Sequence, residues 1–491
     1  MSTDPSVERR TVLKTAAAAS VAGPFAGLVA APASAAANPR SMPLVAVPDE
    51  RDGVVRLHLP QDFRYRSFHD TESPVTLTDG TRLPGRHDGM GTFPGPNGTV
   101  VVVRNHEVNN PVAAAFGPGT PYDSRAGGGT TTVQVTTTGE VIRSFTSLNG
   151  TMMNCSGGEM PWGSWMTCEE TINGPDVGPD FTGTSNVALT KPHGYVFEVP
   201  ASVFPGEGQS SRTPIRSAGR FAHEAVSYDP HSGYLYLTED DFAFASGFYR
   251  YKPPSDPGVV GRLEDGGTLE MLKIVGLDNA HLEAAQSTDA TYDVEWVPIA
   301  DPDPEFAYTP GQTAPTSNNE ALTYVARQGW AQGAAYFSRL EGQVARHGVV
   351  YFTSTQGGGP AEAGQENPAG FGRGSGQVWA YHASSGKLRC VFQSSGPMEL
   401  DLPDNITTSK RGTLVVCEDG SGDNYVRGLT TNGKLWNIAL NRLRSPSGAS
   451  RFGDEFAGST FSPDGQTLFV NIQASRGLTF AIWGPWHRIG V

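Results

Sequence analysis

Cys155 stands among polar residues and glycines in Asn154-Cys155-Ser156-Gly157-Gly158, and Thr167-Cys168-Glu169-Glu170 follows with a second thiol against two adjacent carboxylates. A thiolate and carboxylates aimed at one point hold a metal through soft and hard ligands together. Two readings stand for Cys155: a metal thiolate, or half of a disulfide. Further acids, Glu107, Glu239-Asp240-Asp241 and Glu418-Asp419, each close a short apolar run. Gathered in one place, such carboxylates repel one another and hold protons, and hard cations such as calcium remove that conflict. Any one acid reads equally well as a solvated loop residue; the set points to metal.

Three more segments carry chemistry. His223-Glu224 in Phe221-Ala222-His223-Glu224-Ala225 is a weak signal by itself and reads as a hydrogen-bonded structural histidine. Arg339 lies two residues before Glu341, so on an extended segment the two share a face. Glu341 can then ligate a metal while Arg339 offers a planar fork to an anion, with a surface ion pair as the alternative. Asp404 beside Asn405 offers an acid and an amide, or a turn. There is no Gly-x-Ser-x-Gly elbow.

The elements that must position these groups repeat. Six times a Gly- or Pro-rich turn leads into a short run of β-branched and aromatic residues with a polar or acidic end: 99–107, 164–170, 234–241, 349–355, 413–419 and 467–472. These runs have strand length and are too short for helices. A second strand follows each, at 131–135, 194–199, 247–251, 376–381, 433–438 and 478–482. A small sheet repeated radially protects its own edges, so the pattern predicts an all-β fold, a six-bladed β-propeller; a sandwich or a pair of β domains is the alternative. Val54–Leu59 is the expected strand that completes the last blade. The widest gap, about 252–330, predicts a loop-rich insertion between the third and fourth blades, with short helical pieces near 318–322.

The chain has 491 residues, 60 of them glycine and 37 proline, which leaves little room for long helices. Its net charge of -14 argues against nucleic acid or an anionic membrane surface as partner. Arg9-Arg10-Thr11-Val12-Leu13-Lys14, an alanine-rich run and Ala33-Ser34-Ala35 read as a twin-arginine export signal over 1–35. That leaves a single domain over 36–491, expected to be monomeric, and no later apolar run long enough to span a bilayer. Cys168, Cys390 and Cys417 lie in apolar strand runs and read as packing.

Taken together, the twin-arginine signal, Arg104-Asn105-His106-Glu107, Asn154 to Gly158 with Trp162-Gly163, Thr167 to Glu170, Phe221 to Ala225, Arg339-Leu340-Glu341-Gly342, Pro403-Asp404-Asn405 and Cys417-Glu418-Asp419-Gly420 resemble the PhoX-type alkaline phosphatases. The resemblance covers nearly the whole mature chain. It implies a six-bladed propeller with iron and calcium in its channel, exported by the twin-arginine machinery and hydrolysing small phosphate esters with a metal-activated oxygen nucleophile. It further implies Cys155 as the thiolate on iron, Glu170, Glu224 and Glu341 as carboxylate ligands, and Arg339 as the phosphate-holding arginine. Glu107, Asp404, Glu418 and Asp419 follow as further metal ligands. Of Glu169 and Glu170, which point oppositely on a strand, Glu170 is the expected ligand. A calcium-dependent lactonase-like propeller would use the acids without Cys155 or Arg339, and a non-catalytic calcium-stabilised binding propeller would need neither.

Overall fold

A computed structural model describes residues 42–491 apart from 109–113, 256–257, 259–262, 264, 363, 365 and 474–476. The export signal therefore lies outside the described residues. The chain opens with β1 (Leu44–Pro48), β2 (Val55–Pro60) and β3 (Arg64–Phe68), none of which starts a sheet of its own. β4 (His87–Pro94), β5 (Val100–His106), β6 (Gly128–Val135) and β7 (Val141–Thr151) form a four-stranded meander, and β8 (Asn154–Met160), β9 (Ser164–Glu169) and β10 (Val196–Pro200) a three-stranded one.

Next come β11 (His223–Asp229), β12 (Tyr234–Glu239), β13 (Phe248–Lys252), β14 (Thr268–Ile274) and β15 (Thr291–Pro298). β15 pairs with β14 on one side and reaches the far edge of the following meander, β16 (Leu340–Arg346), β17 (Val349–Ser354), β18 (Gln377–His382) and β19 (Lys387–Gln393), on the other. The result is one nine-stranded sheet. β20 (Pro403–Thr408), β21 (Leu414–Glu418), β22 (Tyr425–Leu429) and β23 (Leu435–Asn441) follow, extended at the edge by β2 and β1. β24 (Phe456–Phe461), β25 (Thr467–Ile472) and β26 (Leu478–Trp483) make the last sheet together with β3. The named helices are short: α1 (Asn318–Leu322), α2 (Tyr324–Trp330) and a few single 3₁₀ turns.

Every named strand pairing is antiparallel, and the leading strands touch in the cyclic order β4, β8, β11, β16, β20, β24 and back to β4. The fold is thus all-β and propeller-like. Apolar side chains fill the wedges between neighbouring meanders, including the two that β15 joins into the nine-stranded sheet. Phe248 of β13 stacks on Phe352 of β17 with ring centroids 4.3 Å apart, both fully buried. Burying such a ring contributes about 2 kcal/mol, so each wedge binds its two meanders without a covalent link.

The six apolar runs are β5, β9, β12, β17, β21 and β25, the second strand of each repeat. Three expectations are corrected. The ring is closed by Arg64–Phe68, paired to β26, whereas Val55–Pro60 pairs with β23 in the preceding sheet. The stretch 252–330 contains two regular strands, β14 and β15, besides its loops and the helix at Asn318–Leu322. In the sheet begun by β20 the third strand is Tyr425–Leu429, and Leu435–Asn441 is the fourth.

Candidate metal centre

The leading strands share one irregularity. In each, the pairing to the next strand breaks near its start, so that two residues oppose one: between His87 and Met90, Asn154 and Gly157, His223 and Val226, Leu340 and Gln343, Pro403 and Ile406, and Ala457 and Thr460. An extra residue re-aims its side chain out of the alternating pattern. The first bulged residue is Asp88, Cys155, Glu224, Glu341 and Asp404 in turn, and Gly458 in the last sheet. A recurring backbone defect therefore turns one side chain with a metal-ligating group toward the ring axis in five of the six repeats.

The second bulged residue is small or polar because the neighbouring strand passes close by. A β-carbon on Gly342 would lie 2.7 Å from Asn405 Cα. At the first bulged position of the last sheet, Gly458, with φ of +60°, leaves no room for any side chain, since its β-carbon would sit 2.3 Å from Asp88 O. Gly458→Val is expected to cost about 3 kcal/mol from strain and overpacking, read as a lowered denaturation midpoint. Two residues ahead of the bulge, Arg86, Met153, Arg339 and Leu402 all adopt left-handed conformations, with φ from 42° to 49°. Each such turn costs a non-glycine residue on the order of 1 kcal/mol, so the entry into the leading strand is held by its surroundings.

The bulged residues meet acids from neighbouring strand ends in four buried groups, within each of which the ligand atoms lie within 4.8 Å of one another. Cys155, Glu170 and Glu224 form the first; Glu224, Glu341 and Asp404 the second; Asp404, Asp419 and Glu455 the third; Asp88, Glu107 and Glu455 the fourth. Consecutive groups share Glu224, Asp404 and Glu455, so the four make one continuous arc. Burial and the neighbouring Glu170 push the Glu224 carboxyl well above its usual range. Glu341 is pushed up by burial and by Asp240, against the pull of Arg339. The Cys155 thiol is likewise driven up by burial and by Glu224 and Glu170, with its sulfur 3.2 Å from His223 O. A protein with these groups buried and metal-free holds protons where it could hold cations. The donor set fits cations: one thiol with two carboxylates at one end, carboxylates alone along the rest.

Arg339 lies beside the second group and is itself buried. Its Nε donates to Asp240 Oδ1 at 3.1 Å, and Nη2 donates to Asp240 Oδ2 at 2.7 Å and to Glu341 Oε1 at 2.6 Å. Arg86 occupies the equivalent place ahead of Asp88, donating from Nη2 to Glu107 Oε2 at 2.9 Å and to Gln473 Oε1 at 2.8 Å.

Several expected residues have other partners. Glu418 takes an ion pair from Arg427 at 2.7 Å and the backbone N–H groups of Asp401 and Tyr425, and joins none of the four groups. Glu239 accepts from Gly247 N–H and Tyr249 O–H, and Asp241 from the N–H groups of Ala243 and Phe244. All four cysteines are free and buried. Asp88 and Glu455 escape a reading by apolar runs, because Asp88 belongs to a leading strand and Glu455 immediately precedes one. The signal for Asp88 was present: His87-Asp88-Gly89 repeats the order histidine, acid, small residue of His223-Glu224-Ala225.

Glu169 and Glu170 separate as strand geometry requires. Glu169 accepts from His193 Nδ1 at 2.6 Å and from the N–H groups of Met152, Gly194 and Tyr195, tying the approach to β10 onto the end of β9. Burial by itself would lower the pKa of His193, but the Glu169 and Asp123 carboxylates overcome it and hold the imidazole up at about 9. A histidine raised from about 6.5 stabilises the fold fully below that pH and loses the contribution as pH climbs through the folded value. About 3 kcal/mol is therefore expected to disappear between pH 6.5 and 9. Denaturant titrations across that window check it, with His193→Gln showing a flatter profile.

The sequence profile of the family described as "Alkaline phosphatase PhoX" matches residues 42–475. The fold is similar to that of Pseudomonas fluorescens PhoX in complex with vanadate, a transition state analogue, with a TM-score of 0.61 at 17% identity over 90% of this chain and 97% of that one. Virginiamycin B lyase from Staphylococcus aureus is more distant, with a TM-score of 0.38 at 11% identity over 86% of this chain and 99% of the other. A search of curated protein sequences found no match. The chain belongs to the PhoX family of alkaline phosphatases, hydrolases of phosphate monoesters.

Proposed function

We propose that the chain is an exported phosphomonoesterase whose reaction takes place on the arc of buried ligands at the ring axis. The observation that carries this reading is the union of one thiol, an unbroken series of carboxylates and a buried arginine at one end of the leading strands. In this reading the ring is a six-bladed propeller, with β11–β14 and β16–β19 as two blades bridged by β15. Residues 36–491 form its single domain, and the leader with Arg9-Arg10 directs export. Iron is held by Cys155, Glu170 and Glu224. Calcium is held by the groups made of carboxylates alone, through Glu341, Asp404, Asp419, Glu455, Asp88 and Glu107. Glu418 fixes Arg427 in place of ligating.

Bound cations supply the Lewis acidity that draws charge from phosphoryl oxygens and makes a nucleophile of water at moderate pH. The chain's own residues do the rest. Asp240 and Glu341 hold the Arg339 fork rigid, so that its N–H groups meet a phosphoryl oxygen without reorganising as charge shifts. The buried carboxylates aim cations at one face, and the small residues at the second bulge position bring the backbones close enough for neighbouring groups to share ligands.

Hydrolysis of a generic aryl phosphate by the purified mature chain, before and after chelation, tests the proposal. Turnover should vanish on chelation and return when iron and calcium are restored together. Turnover of a lactone in its place, or an inert metal-loaded protein, contradicts it.

A further inference from the structure

Past the bulges the leading strands enclose a cavity of about 260 Å³. All six strands line it, through Met90, Ser156, Val226, Gln343, Asn405 and Ser459, so it lies on the ring axis. Its lining is mostly polar and contains no Lys, Arg or His. Its roof is the arc itself. Ser156 and Asn405 are the bulge partners of Cys155 and Asp404, and Asn405 Nδ2 donates to Asp404 Oδ1 at 2.7 Å.

A second cavity, of about 750 Å³, adjoins the first and shares Glu159, Tyr228 and Ala345 with it. Phe93, Met160, Asp229 and Arg346 line this outer cavity from the final turns of β4, β8, β11 and β16. It therefore opens on the face opposite the bulges. The two cavities together form a passage from that face to the underside of the arc, while Arg86 and Arg339, which precede the bulges, stand on the arc's other side.

Glu159 is the one carboxylate that lines the axial cavity, and it is exposed although it stands inside the ring. Thr92 N–H at 2.7 Å and Thr460 Oγ1 at 2.8 Å both donate to its Oε1, which fixes the carboxylate at the junction of the two cavities. A negative group in a polar passage without cationic side chains draws in hydrated cations and turns phosphate away. Calcium needs six to eight oxygens to be held firmly, so a single carboxylate attracts the ion without trapping it.

We propose that this axial passage is an entry and exit route for calcium, with Glu159 drawing the ion from the outer cavity toward the arc. The two faces of the ring then divide the traffic: the anionic ester meets the arginines on one side, and cations reach the carboxylates from the other. The route presupposes the calcium-bearing arc proposed above.

Calcium release from the full mature holoprotein to a fluorescent chelator, and its re-uptake, test the route. Glu159→Lys is expected to slow both by about 10-fold or more, and Glu159→Gln by less, with calcium content at equilibrium and kcat/KM of the loaded enzyme unchanged. Saturating inorganic phosphate, which occupies the arginine side, should leave the wild-type release rate as it is. Wild-type crystals soaked in excess barium give a measurement that does not depend on a variant folding, with an anomalous peak expected at the Glu159 carboxylate. Wild-type exchange rates in Glu159→Lys, release that phosphate blocks, or barium confined to the arc would each overturn the route and leave the arc standing. A wild type that takes up no calcium overturns both.

Discussion

Arg339→Ala is expected to lower kcat/KM for an aryl phosphate by about 10²–10³-fold, the scale of removing one preorganised donor from a developing charge. Loss should fall on kcat as well as KM, because the fork is fixed before substrate arrives by Asp240 and Glu341. Removing the guanidinium also leaves those two carboxylates facing each other in a buried place. Glu341, already pushed up by burial and by Asp240, then loses the one neighbour that lowers it. The variant should therefore take up a proton there and keep the cations of the more distant groups. Steady-state kinetics with metal analysis checks this: an active variant, or one stripped of every metal, is inconsistent with an arginine whose task is the phosphoryl group.

Glu224→Gln should have the larger effect. Glu224 belongs both to the group containing Cys155 and to the group containing Glu341 and Asp404, so one carboxylate spans the boundary between the thiol-bearing and the all-carboxylate ends. The substitution keeps shape and removes charge, and activity is expected to fall by more than about 10³-fold, as two of the groups that would hold cations lose a carboxylate at once. The metal-free proteins should show the opposite order of stability. Because the folded pKa of Glu224 lies well above 4.5, its share of stability is present at low pH and is lost as pH rises past the unfolded value. Chelated Glu224→Gln should consequently unfold at higher temperature than chelated wild type at pH 7 and above. A chelated variant that is less stable than chelated wild type would mean that the carboxylate is satisfied without a cation.

The repeat was legible because β5, β9, β12, β17, β21 and β25 are buried on both sides and keep the β-branched and aromatic residues of such strands. The acids at their ends followed from the same pattern. The leading strands were not legible as strands. Asn154–Met160, Leu340–Arg346 and Pro403–Thr408 are rich in Gly, Asn, Ser and charge, because around the axis they pack backbone against backbone and a bulge interrupts their alternation. Hydrophobic periodicity has nothing to report there. Cys155, Glu224, Glu341 and Asp404 were accessible only through local motifs, and Asp88 and Glu455 were missed. Glu418 lies outside the four groups for a different reason. Adjacent acids on a strand alternate in direction, and sequence does not say that Arg427, across the β21–β22 pairing, claims Glu418 while Asp419 turns to Asp404 and Glu455. The closing strand was misplaced because Val55–Pro60 and Arg64–Phe68 have equally plausible strand patterns, and only the pairing with β23 or β26 tells them apart.

The central claim is that the axial arc is a mixed metal centre with the thiol at one end, and elemental analysis of folded, chromatographically purified wild type beside Cys155→Ala tests it most directly. Iron together with calcium in the wild type is expected, with iron lost, calcium retained and phosphatase activity abolished in the variant. Calcium alone in an active wild type, or iron retained at full occupancy by Cys155→Ala, would contradict it.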